Sequence, residues 1–165
     1  MTRVNLAVDP SLRSGDVFFY TAMNGASMEY SEEYAWAGTG SLKVIKGASN
    51  NSGISVSGGI PVTPGKPYAG SVYARLPLEL PPEEAASLTY QIEWRNSMNT
   101  VVGVDSASAL DITDDHIWYR IGGVWTAPLD ATWAFPMVTQ VIAGTPGTTF
   151  YLDAFLFEQS NYIGG

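Results

Sequence analysis

Six side chains offer the chemistry in this chain: Tyr73 and Arg75 in the run Tyr68-Ala69-Gly70-Ser71-Val72-Tyr73-Ala74-Arg75-Leu76, Gln91, Glu93 and Arg95 in Leu88-Thr89-Tyr90-Gln91-Ile92-Glu93-Trp94-Arg95, and Trp36 in the glycine-lined stretch Tyr34-Ala35-Trp36-Ala37-Gly38-Thr39-Gly40. An aromatic plate beside groups that donate and accept hydrogen bonds suits a sugar, whose C–H faces stack on rings while its hydroxyls need both kinds of partner. If the strands holding Tyr73 and Gln91 are neighbours, Tyr73, Arg75, Gln91, Glu93 and Arg95 project onto one surface. The same residues also suit an ordinary solvated sheet face with cross-strand Arg–Glu pairs. Trp36, Trp125 and Trp133 fall in or beside loops, where an exposed indole can stack on a ring or simply plug the core. Trp94 and Trp118 belong to the core by parity and strand position.

Catalysis finds little support. His116 is the single histidine, in the polar turn Asp114-Asp115-His116, and no Gly-x-Ser-x-Gly nucleophile elbow occurs. Glycoside hydrolysis needs two carboxyl groups facing each other across a cleft. Glu93 and Asp153 form the one strand-borne pair worth testing, and a structural role for Asp153 removes it. Asp111, Asp114 and Asp115 lack the central glycine and terminal glutamate of a calcium loop. The expectation is therefore a protein that is not an enzyme and needs no cofactor.

Composition narrows the classes further. A formal charge of −8 and a pI near 4.4 disfavour a nucleic-acid backbone or an anionic membrane surface, because both require clustered Lys and Arg and the eight basic residues here are scattered. Cysteine is absent, which removes disulfides and thiolate metal sites. No apolar run reaches the roughly 18 residues of a membrane span. Met1 is followed at once by Thr2-Arg3-Val4-Asn5-Leu6, without the apolar stretch of a signal peptide. The 165 residues fit one domain, expected over residues 1–160, with 161–165 as a tail that leads towards a further domain.

The elements that must position the candidate residues are strands. Leu88 to Arg95 alternates cleanly, Leu88, Tyr90, Ile92 and Trp94 on one side and Thr89, Gln91, Glu93 and Arg95 on the other. Tyr68, Val72 and Leu76 oppose Ser71, Tyr73 and Arg75 in the same way. Gly40 to Lys46 reads as a half-buried strand, and Val17–Tyr20 and Ser27–Tyr30 as short ones, the latter after the Asn24-Gly25 turn. A short strand at Asn5 precedes the turn Asp9-Pro10-Ser11. Pro81 to Ala86 holds at most one helical turn. Ile117 to Thr126 predicts a long strand with a bulge or bend at Gly122-Gly123. About ten strands without βαβ alternation predict an all-β sandwich of two antiparallel sheets.

The last of these strands, Phe150-Tyr151-Leu152-Asp153-Ala154-Phe155-Leu156-Phe157-Glu158, is apolar at both parities and so buried on both faces. Asp153 in its middle cannot be left ionised and alone, because an unpaired buried charge costs several kcal/mol. A cation or several hydrogen-bond donors must meet it, with the partner expected near the N-terminus.

In this order, Asn5-Leu6 with Asp9-Pro10-Ser11, Gly40-Ser41-Leu42-Lys43-Val44, Pro64-Gly65 before Tyr68-Ala69-Gly70-Ser71-Val72-Tyr73, Trp118-Tyr119-Arg120, Ala127-Pro128 and Phe150-Tyr151-Leu152-Asp153-Ala154 resemble the jelly-roll carbohydrate-binding modules of the galactose-binding-like superfamily, especially those of bacteriophage tail proteins. The resemblance implies a jelly roll and a module of a phage tail, in the virion, with a structural or host-glycan adhesion role. Its implied partners are other tail subunits, a bacterial cell-surface glycan and copies of itself in a homo-oligomer. The alternative it leaves open is an accessory carbohydrate-binding module of a secreted glycoside hydrolase. Many such modules hold a structural calcium with a glutamate just after the first turn and the aspartate of the last strand. Arg13 stands at that glutamate position here, which disfavours calcium and predicts an Arg13–Asp153 ion pair in its place.

Overall fold

The computed structural model describes residues 4–7, 17, 19–76, 88–108, 117–141 and 148–163. Eleven strands are present among them: β1 (Tyr20–Met23), β2 (Ser27–Ser31), β3 (Ser41–Ile45), β4 (Ser52–Val56), β5 (Ile60–Pro61), β6 (Pro67–Arg75), β7 (Leu88–Arg95), β8 (Val101–Ser108), β9 (Tyr119–Thr126), β10 (Trp133–Gln140) and β11 (Thr149–Gln159). All pairings are antiparallel. One sheet runs β1-β4-β10-β7-β8 with β5 beside β10; the other runs β2-β3-β11-β6-β9. The result is the sandwich of two antiparallel sheets that the strand pattern predicts and the jelly roll that the resemblance implies.

The alternating patterns explain which side of each strand faces in. Leu88, Tyr90, Ile92 and Trp94 of β7 and Tyr68, Val72, Ala74 and Leu76 of the β6 segment are buried and meet Leu42, Val44, Phe150, Leu152 and Phe157 between the sheets. Each fully buried large side chain contributes about 1.5–3 kcal/mol. Ring packing orders the centre: Tyr68 stacks on Phe157 at 5.3 Å, and Trp94 lies 6.5 Å from the same ring. Trp94 donates its indole N–H to Asp105 at 2.8 Å, which removes the cost of burying that donor.

The last strand needs an irregularity to bury its aromatics. Asp153 pairs with Tyr73 and Leu156 with Ser71, so Ala154 and Phe155 together oppose Val72 alone. This is a β-bulge, with Ala154 in the left-handed region at φ 51°. It shifts the inward parity from Phe150 and Leu152 to Phe155 and Phe157. Without the extra residue the last two aromatics would face solvent.

The two ends of the chain meet on this strand. Leu6 donates its backbone N–H to the Phe157 carbonyl at 2.7 Å. The Asn5 side chain donates to the Phe155 carbonyl at 2.7 Å and accepts the Phe157 N–H at 3.0 Å. Asn5 therefore docks through its amide, where the sequence predicts a short strand.

Other details differ from expectation. Among the described residues the first strand is Tyr20–Met23, which lies later than the predicted Val17–Tyr20. β9 runs through Gly122-Gly123 with continuous register against β6, so no bulge forms there. Glycine is required at 122 for space, since a Cβ would lie 2.2 Å from the Gly70 carbonyl oxygen. Trp125 belongs to β9 and packs inward, stacked on Tyr90 at 6.1 Å and 3°. Trp118 is half-buried. The predicted turns and acids at 9–11, 81–86 and 111–116, His116 among them, lie outside the described residues.

A candidate ligand-binding face on the five-stranded sheet

The six candidate residues divide between the two sheets. Tyr73 and Arg75 point outward from β6 in the five-stranded sheet, and Trp36 joins them from the β2–β3 loop. Gln91, Glu93 and Arg95 point outward from β7 in the six-stranded sheet, on the opposite side of the molecule. The single face predicted from Tyr73 and Gln91 therefore does not form: parity is right for both strands, but they are not neighbours. Glu93 and Asp153 are separated in the same way and face no common cleft.

On the five-stranded sheet, register sets the outward residues side by side. Glu29, Lys43, Tyr151 and Arg75 form one row across β2, β3, β11 and β6, and Asp153, Tyr73 and Arg120 form part of the next across β11, β6 and β9. The loop between β2 and β3 folds over them. Trp36 lies flat on Tyr73, with ring centroids 4.0 Å apart and planes 12° from parallel. Tyr34 meets Tyr151 edge to face at 4.9 Å, and the Arg75 guanidinium covers the Tyr34 ring at 3.9 Å. Arg120 sits 5.7 Å from the Tyr73 ring and donates to Ser71 Oγ at 3.1 Å. Trp36 remains 48% exposed. One indole face rests on Tyr73, and the residue still presents a large apolar area to solvent.

Asp153 holds this loop down. Its Oδ2 accepts the backbone N–H groups of Trp36 and Ala37, each at 2.9 Å, and its Oδ1 accepts the N–H of Ala154 at 2.7 Å. The requirement for several donors is met by main-chain groups. Arg13 lies outside the described residues, as does the predicted Arg13–Asp153 ion pair. Burial pushes the Asp153 carboxyl above its ordinary range, and the three N–H donors only partly offset this. Main-chain N–H groups thus point at both oxygens of this carboxylate. Among the described residues no cluster of three or more metal-ligating side chains forms.

At the β3 end the loop is pinned by charge. Tyr151 donates its hydroxyl to Glu33 Oε2 at 2.6 Å, and Lys43 lies 3.4 Å from Glu33 and 3.8 Å from Glu29. The Tyr151 hydrogen bond, helped by Lys43, lowers the Glu33 carboxyl. Burial, then the bond to Glu33, raises the Tyr151 hydroxyl. Ser41 Oγ closes the loop by donating to the Tyr34 carbonyl at 2.7 Å.

The face thus offers an exposed ring on a rigid base, two guanidinium groups packed on rings, and acids and hydroxyls nearby. Sequence reading identified Tyr73, Arg75 and Trp36. It missed Tyr34, Tyr151, Lys43, Glu33 and Arg120, although the outward parity of Tyr151 and Arg120 was available from their strands.

No family model and no curated protein matches the sequence. Solved structures share the fold. The chain is similar to the CBM22-1 xylan-binding domain of Paenibacillus barcinonensis Xyn10C, at 18% identity and a TM-score of 0.72, over 96% of this chain and 97% of that one. It is also similar to the C-terminal family 22 carbohydrate binding module of Clostridium thermocellum Xyn10B, at 17% identity, a TM-score of 0.64 and 94% of each chain. A third likeness is to the enzymatically active domain of tailspike protein 4 of bacteriophage CBA120, at 10% identity and a TM-score of 0.66, over 93% of this chain and 21% of that one. At these identities the likeness establishes the fold alone, a jelly-roll β-sandwich.

Proposed function

We propose that the protein is a non-catalytic carbohydrate-binding module that takes a glycan chain on the outer face of its five-stranded sheet, with Trp36 as the stacking platform. The observation that carries this reading is the Trp36–Tyr73 stack, anchored through two backbone N–H bonds to a buried carboxylate. An indole fixed before the ligand arrives loses little entropy on binding, and its exposed apolar area suits the C–H face of a pyranose. Arg75, Arg120, Lys43 and Glu33 supply hydrogen bonds to hydroxyls. The likeness to a xylan-binding domain and to a carbohydrate-binding module of an endo-1,4-beta-D-xylanase favours an accessory module of a glycoside hydrolase and a xylan-like ligand.

A phage-tail module that adheres to a bacterial surface glycan is the second reading, and the tailspike likeness is what supports it. In that reading the partners are tail subunits, the location is the virion, and the same face meets the host. A glycan array holding both plant cell-wall oligosaccharides and bacterial surface polysaccharides separates the two. Binding to one set, weakened about tenfold by Trp36→Ala or Tyr73→Ala, is the expected result for loss of an aromatic contact of about 1.4 kcal/mol. No binding to either set, or binding untouched by both substitutions, refutes the assignment of this face.

A further inference from the structure

The opposite face of the sandwich carries a second surface with related chemistry. Across the six-stranded sheet, Pro61, Trp133, Arg95 and Val101 form one outward row on β5, β10, β7 and β8, and Phe135, Glu93 and Val104 form the next. Arg95 is held on several sides: Nε and Nη2 lie 2.7 and 2.6 Å from Glu93 Oε1, Nη1 donates to Asn99 Oδ1 at 2.9 Å, and the guanidinium lies 4.0 Å from the Phe135 ring centroid. Phe135 is itself braced, since a Cβ on Gly59 would lie 2.7 Å from its ring tip. Gly59 also takes φ +72°, which disfavours any replacement there. Opposite Arg95, Trp133 remains 38% exposed, with Val101 at 48% and Val104 at 53% beside the row.

An arginine on a solvated face ordinarily keeps its rotamer freedom, whereas this one is held over a ring by three polar contacts and leaves two of its five N–H groups for a ligand. Its charge is balanced by Glu93 at contact distance, so the surface has no excess positive charge for an anionic polymer. What remains is a planar guanidinium beside an exposed indole, flanked by Asn99 and, two rows further along β7, by Gln91. That combination recognises an uncharged ring with C–H faces and hydroxyl edges.

We propose that the Trp133–Arg95 surface is a second saccharide-binding face, for an uncharged pyranose chain, on the side of the sandwich opposite Trp36. One molecule then bridges two glycan chains. The ligand class rests on the carbohydrate reading of the first face, while the site itself rests on separate residues.

The test is a titration of ¹⁵N-labelled protein with xylohexaose, cellohexaose and mannohexaose, following the indole N–H resonances assigned by single Trp→Phe variants. A saturable shift of the Trp133 resonance that persists in Trp36→Ala is expected, with a midpoint about tenfold higher in Arg95→Ala. Both variants should keep the remaining indole resonances in place, showing that they fold. A Trp133 resonance that stays fixed while Trp36 saturates overturns this proposal and leaves the first face standing. Movement of Trp133 alone upholds it and removes the first. Neither resonance moving with any of the three hexasaccharides overturns this proposal, and with it the xylan-like ligand of the first face.

Discussion

Asp153 accepts the backbone N–H of Trp36 at 2.9 Å, so a carboxylate buried in the last strand fixes the position of an exposed indole 117 residues earlier in the chain. The link ties stability to the proposed binding face. The acid that makes β11 unusual is also the anchor of the loop that covers the sheet.

Removing that anchor should loosen the loop before it unfolds the sandwich. Asp153→Ala leaves three N–H donors without their acceptor and should cost about 3 kcal/mol. Asp153→Asn keeps an acceptor oxygen and should cost less. Urea unfolding gives the stability, and tryptophan fluorescence reports whether Trp36 has left Tyr73; an unchanged emission spectrum in Asp153→Ala would contradict the anchoring role.

The acid dependence of stability follows from the direction of the Asp153 shift. Burial raises its folded value above the unfolded one, so the folded state binds this proton more tightly. Its contribution is full below the unfolded value and is lost as pH rises through the folded value. Relative to Asp153→Asn, the wild-type protein should therefore gain melting temperature on acidification through the carboxylate range. Glu33 is shifted the other way, and its contribution is lost as pH falls through its lowered value. The Asp153→Asn comparison cancels the Glu33 effect, and a wild-type protein that loses more stability than the variant in acid would refute the sign.

Ala154 occupies a left-handed conformation at the bulge, which costs a side chain with a Cβ about 1 kcal/mol. Ala154→Gly should stabilise the protein by up to about 1 kcal/mol without moving Phe155 or Phe157. Equilibrium denaturation measures it, and a destabilised variant would show that the Ala154 methyl group contributes more through its contacts than it costs in strain.

Asp105 is the acceptor for the fully buried Trp94 indole. Asp105→Ala should cost about 2 kcal/mol by leaving that N–H unpaired, whereas Asp105→Asn, which keeps an oxygen in place, should cost less. Thermal melts of the two variants check the ranking.

Much of the fold is legible in the residues because side-chain parity records burial directly. Leu88 to Arg95 places every inward residue of β7, and the apolar run from Phe150 announces a strand buried on both sides. What parity does not record is which strands share a sheet. Tyr73 and Gln91 both face outward, yet β6 and β7 belong to different sheets, so one predicted surface becomes two. The anchoring of Asp153 is hidden for a related reason: its donors are backbone N–H groups, which every residue except proline carries. Glycines are ambiguous in the same way, since Gly122 serves close backbone approach and the bulge falls instead at Ala154.

The central claim is that a glycan lies on Trp36, and intermolecular nuclear Overhauser effects between a bound oligosaccharide and the Trp36 indole protons test it most directly. The account predicts contacts from the ring protons of one sugar unit to that indole, lost in Tyr73→Ala, where the indole has no base to rest on. An oligosaccharide that binds with no contact to Trp36, or whose contacts survive that substitution unchanged, would contradict it.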